Sequence, residues 1–401
     1  MTSEWHEVPL RELVGYISKG IAPSYAEEAS ETTIRVLNQK CNRNFRISYG
    51  DSRLHDTLKK KVPPERYVKP DDILINSTGA GTAGRIAQIE DVPSATTIDG
   101  HMILIRSNGK VTQKFLGYAL KAHQWEVLQL DEGSTGQTEL NRDRLLDEIM
   151  INYPVSLDEQ NAIVGTLESI DRKLIVNEQL NDNLEQQAQS YFQELFVDNA
   201  SPEWTTGTIS DLGTVVGGST PSKAKPEYYT ESGIAWITPK DLSINKSKFV
   251  SHGENDITEL GLKNSSAAIM PEGTVLFSSR APIGYIAIAA GEVTTNQGFK
   301  SVVPKPEIGT PFVYFFLKNT LPVIEGMASG STFKEVSGST MKNVPAVIPD
   351  AETLAKFSDF CAPIFAQQRI LEEQNQSLAK LRDSLLPKLM SGEIDVSAVQ
   401  L

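Results

Sequence analysis

LDEQNAIVGTLESIDRKLIVNEQLNDNLEQQAQSYFQELF (residues 157–196) and DAETLAKFSDFCAPIFAQQRILEEQNQSLAKLRDSLLPKLM (residues 350–390) share one apolar rhythm. In the second stretch Ile364, Leu371, Leu378 and Leu385 fall seven apart, with Cys361 and Leu381 filling in. In the first, Leu167, Ile170, Leu174, Leu184, Tyr191 and Leu195 keep a looser version of the stripe. Heptad spacing sustained this long predicts amphipathic helices, each burying one seam against another helix. Ser156 with Glu159 forms a capping box, Asp350 is a second N-cap, and Gly392 is a stop. Each helix would be roughly 60 Å long at about 1.5 Å per residue, more than a globular core needs. They read as spacers.

Outward from the helices, the repeat continues. Trp5 in SEWHEVPLRELV answers Trp204 in PEWTTGTISDLG, and Gly20 and Pro23 answer Gly218 and Pro221. RVLNQK (35–40) answers AWITPK (235–240), and KPDDILINSTGAG (69–81) answers MPEGTVLFSSRAP (270–282). TTIDGH (96–101) answers TTNQGF (294–299), and GSTGQTELN (133–141) answers GSTFKEVSG (330–338). So many ordered matches at an offset of about 197 residues mean an internal duplication, far too long in period for a solenoid. Within each copy, short apolar runs punctuated by Gly, Pro and Asp read as strands. They are RVLN, DILIN, GRIAQI and HMILIRS, then AWIT, TVLFSS, GYIAIAA and FKSVVP. FLGYALKAHQWEVLQL (115–130) and FVYFFLKNTLPVIEGM (312–327) read as helices. The fold class is therefore α+β: two duplicated mixed α/β modules separated by two long antiparallel helices, a coiled coil with pseudo-two-fold symmetry. The domains are 1–152, the spacer helix 153–200, 201–347, and 348–401 for the second helix and tail.

Composition bounds the function. The chain is 39% hydrophobic and 22% charged, the balance of an ordinary soluble protein, with no apolar run of membrane-span length, and a cytoplasmic location is expected. MTSEWHEVPL lacks the basic head and apolar core of a signal peptide. Two cysteines, Cys41 and Cys361, are too few for a disulfide framework and read as buried thiols in a reducing cytosol. The net charge of −13 is uneven: residues 151–200 hold −7 and 350–401 hold −3, while the two modules are near neutral. Acidic helices repel phosphates and should face protein; near-neutral modules can still present basic faces.

Catalytic motifs are not found. NYPV (152–155) is only a distant match to an amino-methyltransferase motif and reads as a strand-to-helix exit. GAGTAG (79–84) matches GxGxxG imperfectly and reads as a tight turn between strands. No GxxxxGK[ST] occurs, and the five histidines lack metal-ligand spacing. DNA binding asks for Lys and Arg on phosphates and Arg, Asn, Gln or Ser on base edges. The candidates in the first module are Lys40, Arg43 and Arg46 with Asn42 and Asn44, the run Lys59, Lys60, Lys61, and Gln137. In the second they are Lys240, Lys246, Lys248, Ser278, Arg280, Asn296 and Gln297. Two like modules on antiparallel spacers suit a bipartite, asymmetric DNA target, as symmetric dimers suit palindromes.

LRDSLLPKLMSGEI (381–394), LDEQNAIVGTLESIDRKL (157–174), the EW opening of each half and the GST turn together resemble the specificity subunit of type I restriction-modification systems. The resemblance spans essentially the whole chain. It implies a non-catalytic subunit whose two target-recognition domains each read half of a split DNA sequence. It implies that the helices set the gap and dock two methyltransferase subunits, with restriction subunits joining. S-adenosylmethionine would then belong to the methyltransferase, and ATP with Mg to the restriction partner. Candidates for partner binding are Ile163, Leu167, Ile170, Leu174, Phe357, Cys361, Ile364, Leu371, Leu378 and Leu385. Two departures stand out: the second helix carries Pro363 and lacks the DEQ opening. An alternative reading is a scaffold whose duplicated modules bind proteins; it predicts no effect on DNA mobility at any salt. A self-sufficient enzyme would instead transfer methyl groups or cleave DNA alone.

Overall fold

The computed structural model describes residues 4–79, 81–132, 139–330 and 334–396. The chain divides into two compact units, residues 1–173 with 378–401, and residues 174–377. Each holds one globular module and a portion of each long helix.

In the first unit, strand Trp5–Pro9 pairs antiparallel with Met150–Pro154, tying the module's two ends together. Val14–Lys19, Met102–Ser107, Ile73–Asn76 and Ile86–Gln88 form an antiparallel sheet in that order. A second sheet runs Thr96–Ile98, Thr33–Leu37, Arg53–Asp56, Tyr25–Ala26, its first pair parallel. Ile73–Asn76 is buried at every position, as a continuous apolar run predicts for a strand covered on both faces.

The second unit repeats this order. Thr205–Thr208 pairs with Pro345–Ile348. Gly213–Gly217, Lys300–Pro304, Val275–Ser279 and Ile283–Ala289 form the first sheet, with Phe249–Val250 added at its edge. Tyr229–Thr230, Asn255–Ile257, Ile234–Ile237 and Thr294–Thr295 form the second, again with one parallel pair. The duplication is thus topological as well as textual. Gly20 and Gly218 show why one residue type recurs at the answering position. A Cβ on Gly20 would lie 2.1 Å from the Asp99 carbonyl oxygen, and one on Gly218 2.0 Å from that of Asn296. Only glycine permits that approach.

The long helices run Leu157–Gln193 and Ala351–Met390. Their ends carry the expected caps. Ser156 Oγ accepts from the Glu159 amide at 3.4 Å, Asp350 Oδ1 from that of Thr353 at 2.9 Å, and Gly392 adopts φ 75°. Within the second unit they pack antiparallel: Asn177 meets Asn375, Asn181 meets Glu372, and Tyr191 meets Phe360. The helix expected over 115–130 is broken instead. Gln113–Ala122 ends at His123 (φ −91°, ψ 13°) and a short Gln124–Val127 turn follows. Its counterpart Thr310–Gly326 is continuous even through Pro322. Among the described residues no helix is long and apolar enough to cross a membrane.

Candidate nucleic-acid interface

In the first module the structure brings Lys40, Arg43 and Arg46 onto one small hairpin. Lys40 lies in a turn capped by Asn38, whose Oδ1 accepts from the Lys40 amide at 2.9 Å. Arg43 and Arg46 are register partners in the Asn42–Arg43/Arg46–Ile47 pair, with Asn44 and Phe45 at positive φ between them. The hairpin is anchored from beneath. Asn42 is fully buried, and its Nδ2 donates to the Arg85 carbonyl at 2.8 Å and to Asn76 Oδ1 at 3.2 Å. Asn42 is therefore a brace, while Lys40, Arg43 and Asn44 are exposed.

Lys59, Lys60 and Lys61 follow strand Arg53–Asp56 of the other sheet, all three exposed. Lys59 lies 3.8 Å from Asp56, and Lys60 Nζ donates to the Ala22 carbonyl at 2.8 Å. Gln137 lies outside the described residues. Gly79, Gly81 and Gly84, all at positive φ, lie between two strands that pair antiparallel. A strand–turn–strand is the wrong context for a dinucleotide loop, which needs a following helix N-terminus.

In the second module Arg280 and Gln297 converge. Arg280 follows Val275–Ser279 and lies 3.5 Å from Glu335, which also faces Lys300 at 3.8 Å. Lys300 Nζ donates to the Gln297 carbonyl at 3.3 Å, and Gln297 Oε1 accepts from the Thr220 hydroxyl. Asn296 shapes the turn: its Oδ1 accepts from the Gly298 amide at 2.8 Å. Lys240 is exposed and pairs with Glu254 at 2.6 Å, an exposed ion pair of the kind a phosphate can displace. Lys246 sits 4.4 Å from the centre of the Tyr285 ring.

Two expectations are corrected here. Lys248 is not a surface cation. Its side chain is 5% exposed, pairs with Glu185, donates to Gln368 Oε1 at 2.5 Å and lies 4.1 Å from the Phe365 ring centre. Ser278 is fully buried; its hydroxyl donates to the Pro282 carbonyl at 2.8 Å and accepts from the Tyr285 amide. Lys248 is turned onto the long helices and Ser278 is bonded inside its own module, so neither presents its polar atom at the module surface.

Sequence reasoning missed Lys19, Thr220, Lys300 and the carboxylates Glu139 and Glu335. Lys19 Nζ pairs with Glu139, so each module has a lysine–glutamate pair whose glutamate follows its GST motif in sequence. The available signal was a short echo, Glu139-Leu140-Asn141 against Glu335-Val336-Ser337, displaced by a one-residue gap from the alignment of the GST motifs.

The helix residues expected to bind partners are also corrected. Ile163, Leu167, Ile170, Leu174, Phe357, Cys361, Ile364 and Leu371 are buried in the chain's own core. Leu378 and Leu385 are half-buried, Leu385 packing against that core. An apolar seam already closed by its own chain cannot also serve a partner. The exposed apolar side chains of these helices are others: Leu157, Val176, Leu180, Phe360, Ile370 and Leu381.

Comparison with known proteins places these modules. The family model of the type I restriction modification DNA specificity domain matches residues 2–186 and 202–380. The MjaIX type I restriction enzyme specificity subunit of Methanocaldococcus jannaschii is 39% identical over 191 residues, 45% of this chain and 44% of the relative. In that alignment the chain spans less than half of the relative's length. The putative MjaX type I restriction enzyme specificity subunit of the same organism is 19% identical over 98% of this chain and 94% of its own. The crystal structure of a type I restriction-modification S subunit from M. genitalium shares the fold, with TM-score 0.60 at 17% identity, over 97% of this chain and 96% of its own.

Proposed function

The chain belongs to the family of type I restriction modification DNA specificity domains, and from that premise we propose that it is the non-catalytic DNA-reading subunit of a type I restriction-modification complex. Each module reads one half of a split, asymmetric sequence in double-stranded DNA. The first uses the Lys40–Arg46 hairpin with the Lys59–Lys61 run, and the second uses Arg280, Gln297 and Lys240. One observation carries the reading: the two modules repeat the same sheet order and both close onto the same pair of long helices, while their exposed polar residues differ. Like frames with unlike faces suit two different half-sequences.

The helices act as the spacer and the platform for two methyltransferase subunits. Val176, Leu180 and Ile370 in one unit, and Leu157 and Leu381 in the other, are the apolar side chains left exposed for that contact. Restriction subunits join the same assembly. S-adenosylmethionine is used by the methyltransferase, and ATP and Mg by the restriction subunits.

The test is genome-wide methylation mapping in cells expressing this chain with its methyltransferase. The expected result is methylated adenine at one split motif with a fixed gap. Exchange of residues 1–150 for those of a relative should then change one half-sequence and leave the other. No motif from an intact complex would sink the reading in favour of a protein scaffold.

A further inference from the structure

The lysine–glutamate pair is built once in each module, from residues that do not all correspond. In both modules the backbone next to the glutamate is tied to a neighbouring strand. The Leu140 amide donates to the Ser77 carbonyl at 2.8 Å, and the Val336 amide donates to that of Ser279 at 3.0 Å. Ser77 and Ser279 are fully buried, as are Leu140 and Val336 to within a few per cent. The next residue caps a helix in each case: Asn141 accepts from the Asp143 and Arg144 amides, and Ser337 from that of Thr340. Glu139 and Glu335 therefore stand at answering positions, each just before a buried apolar residue whose amide bonds to a strand of its module.

The lysine, by contrast, comes from different strands. Lys19 ends strand Val14–Lys19, whereas Lys300 begins Lys300–Pro304, the neighbour of the strand answering Val14–Lys19. Lys19 answers Gly217, which has no side chain to offer. The two modules reach the same pairing with lysines at positions that do not answer each other. In the second, Arg280 joins it, so a single carboxylate faces two cations on the face already assigned to DNA.

We propose that Glu139 and Glu335 are specificity-determining residues that hold these cations away from phosphates unless a matched half-site is present. The inference rests on the DNA-reading function above. Lysine and arginine bind any phosphate, and each unpaired cation adds sequence-independent affinity. A carboxylate 3.5 Å from Arg280 and 3.8 Å from Lys300 competes with a phosphate for both cations. Non-specific DNA offers only phosphates in exchange. A matched half-site adds base-edge bonds that compensate for breaking the pairs. The glutamate thus lowers non-specific binding more than specific binding, a repulsive contribution to discrimination.

The experiment uses the complex of the full chain with its methyltransferase subunits, and two duplexes, one with the mapped motif and one scrambled. Glu335→Gln keeps the shape and removes the charge. It should tighten binding to the scrambled duplex roughly threefold to tenfold and steepen the salt dependence by about one phosphate equivalent. Binding to the matched duplex should change less, and methylation should spread to sites altered in the second half only. Glu139→Gln should do the same for the first half. Glu335→Asp, which keeps the charge on a shorter arm, should fall between. Lys300→Met combined with Glu335→Gln should reverse much of the gain. Unchanged or weaker binding of the scrambled duplex by both Gln variants would overturn the proposal. A wild-type complex that prefers no duplex at any salt would remove the DNA reading itself, and this role with it.

Discussion

The two modules grip the long helices with the same chemistry assembled differently. On the first unit the acceptor is Asp171 of the first long helix. It takes the Tyr118 hydroxyl at 2.9 Å, Lys121 at 3.2 Å and Arg382 of the second long helix at 3.1 Å. On the second unit the acceptor is Glu185 of the same helix. It takes the Tyr314 hydroxyl at 3.2 Å, Lys318 at 2.5 Å and Lys248 from the module itself. Tyr118 and Lys121 are three apart on their helix and Tyr314 and Lys318 four apart, so both pairs share a helix face. The third cation is where the copies part: the long helix supplies it in one, the module in the other. Gln368 and Glu372 of the second long helix then complete the second grip, Glu372 accepting from the Lys248 and Phe249 amides at 2.7 and 3.0 Å. What the duplication keeps is a half-buried carboxylate with tyrosine and lysine around it; the rest is replaceable.

The comparison breaks hardest at Glu185. Replacing it by Ala takes from buried Lys248 its ion-pair partner and leaves it the Gln368 amide, the rings of Tyr314, Phe315 and Phe365 and the more distant Glu372 charge, a loss worth about 3–5 kcal/mol of destabilisation. Asp171→Ala should cost less, because Arg382 keeps Asp383 at 2.8 Å and Lys121, which loses its partner, is 11% exposed against 5% for Lys248. Denaturant unfolding of both variants checks the order. The double variant Glu185→Leu/Lys248→Met should recover much of the loss, since apolar groups of similar size can replace a buried pair. A double variant no better than Glu185→Ala would mean that the ions themselves specify the packing.

Much of this architecture was legible in the sequence, and the reason is periodicity. Tandem matches at a steady offset, strand-length apolar runs and heptads carry the fold, and the caps at Ser156 and Asp350 stand where the residue types put them. Burial of a charged residue leaves no such trace. Lys248 sits in a polar run, NKSK, that reads as surface, and only the strand Phe249–Val250 added at a sheet edge turns it inward. The helix stripe misled in the opposite way. A stripe says that something covers it, not whether the cover is the same chain. The middle of the helix pair also departs from heptad expectation, because Asn177, Asn181, Gln368 and Asn375 meet through amides.

A smaller effect separates the two grips by pH. Burial alone would raise the Glu185 carboxyl, yet Lys248 and Lys318 hold it below its ordinary value near 4.5. Burial likewise opposes Asp171, which Lys121, Arg382 and Tyr118 hold below its usual 3.8. A depressed carboxyl gives stability that is present above its unfolded value and lost as pH falls through the folded one. Glu372 has the opposite sign: burial raises it, so its contribution is present at low pH and lost as pH rises. The second unit should therefore lose stability less steeply on acidification than the first. Hydrogen exchange in residues 174–193 against 378–390, followed from neutral pH to below about pH 4, reads the two separately. Glu372→Gln should steepen the loss in the second unit and leave the first unchanged.

The smallest contrast lies in the caps behind Glu139 and Glu335. Asn141 Oδ1 accepts two amides, from Asp143 at 3.0 Å and Arg144 at 3.1 Å, whereas Ser337 Oγ accepts one, from Thr340 at 3.0 Å. An N-cap replaced by Ala typically costs about 1 kcal/mol, with single weak caps nearer ~0.5. Asn141→Ala should thus lower stability more than Ser337→Ala, by a few tenths of a kcal/mol to about 1. Each cap also fixes the residue two positions before it, so the effect should reach the carboxylate. If Asn141→Ala loosens Glu139 from Lys19, its complex should bind scrambled DNA more tightly, a milder form of the Glu139→Gln result. Lost stability with unchanged DNA discrimination would confine the cap to the helix it starts, and would leave the placement of Glu139 to Leu140 and its bond to Ser77.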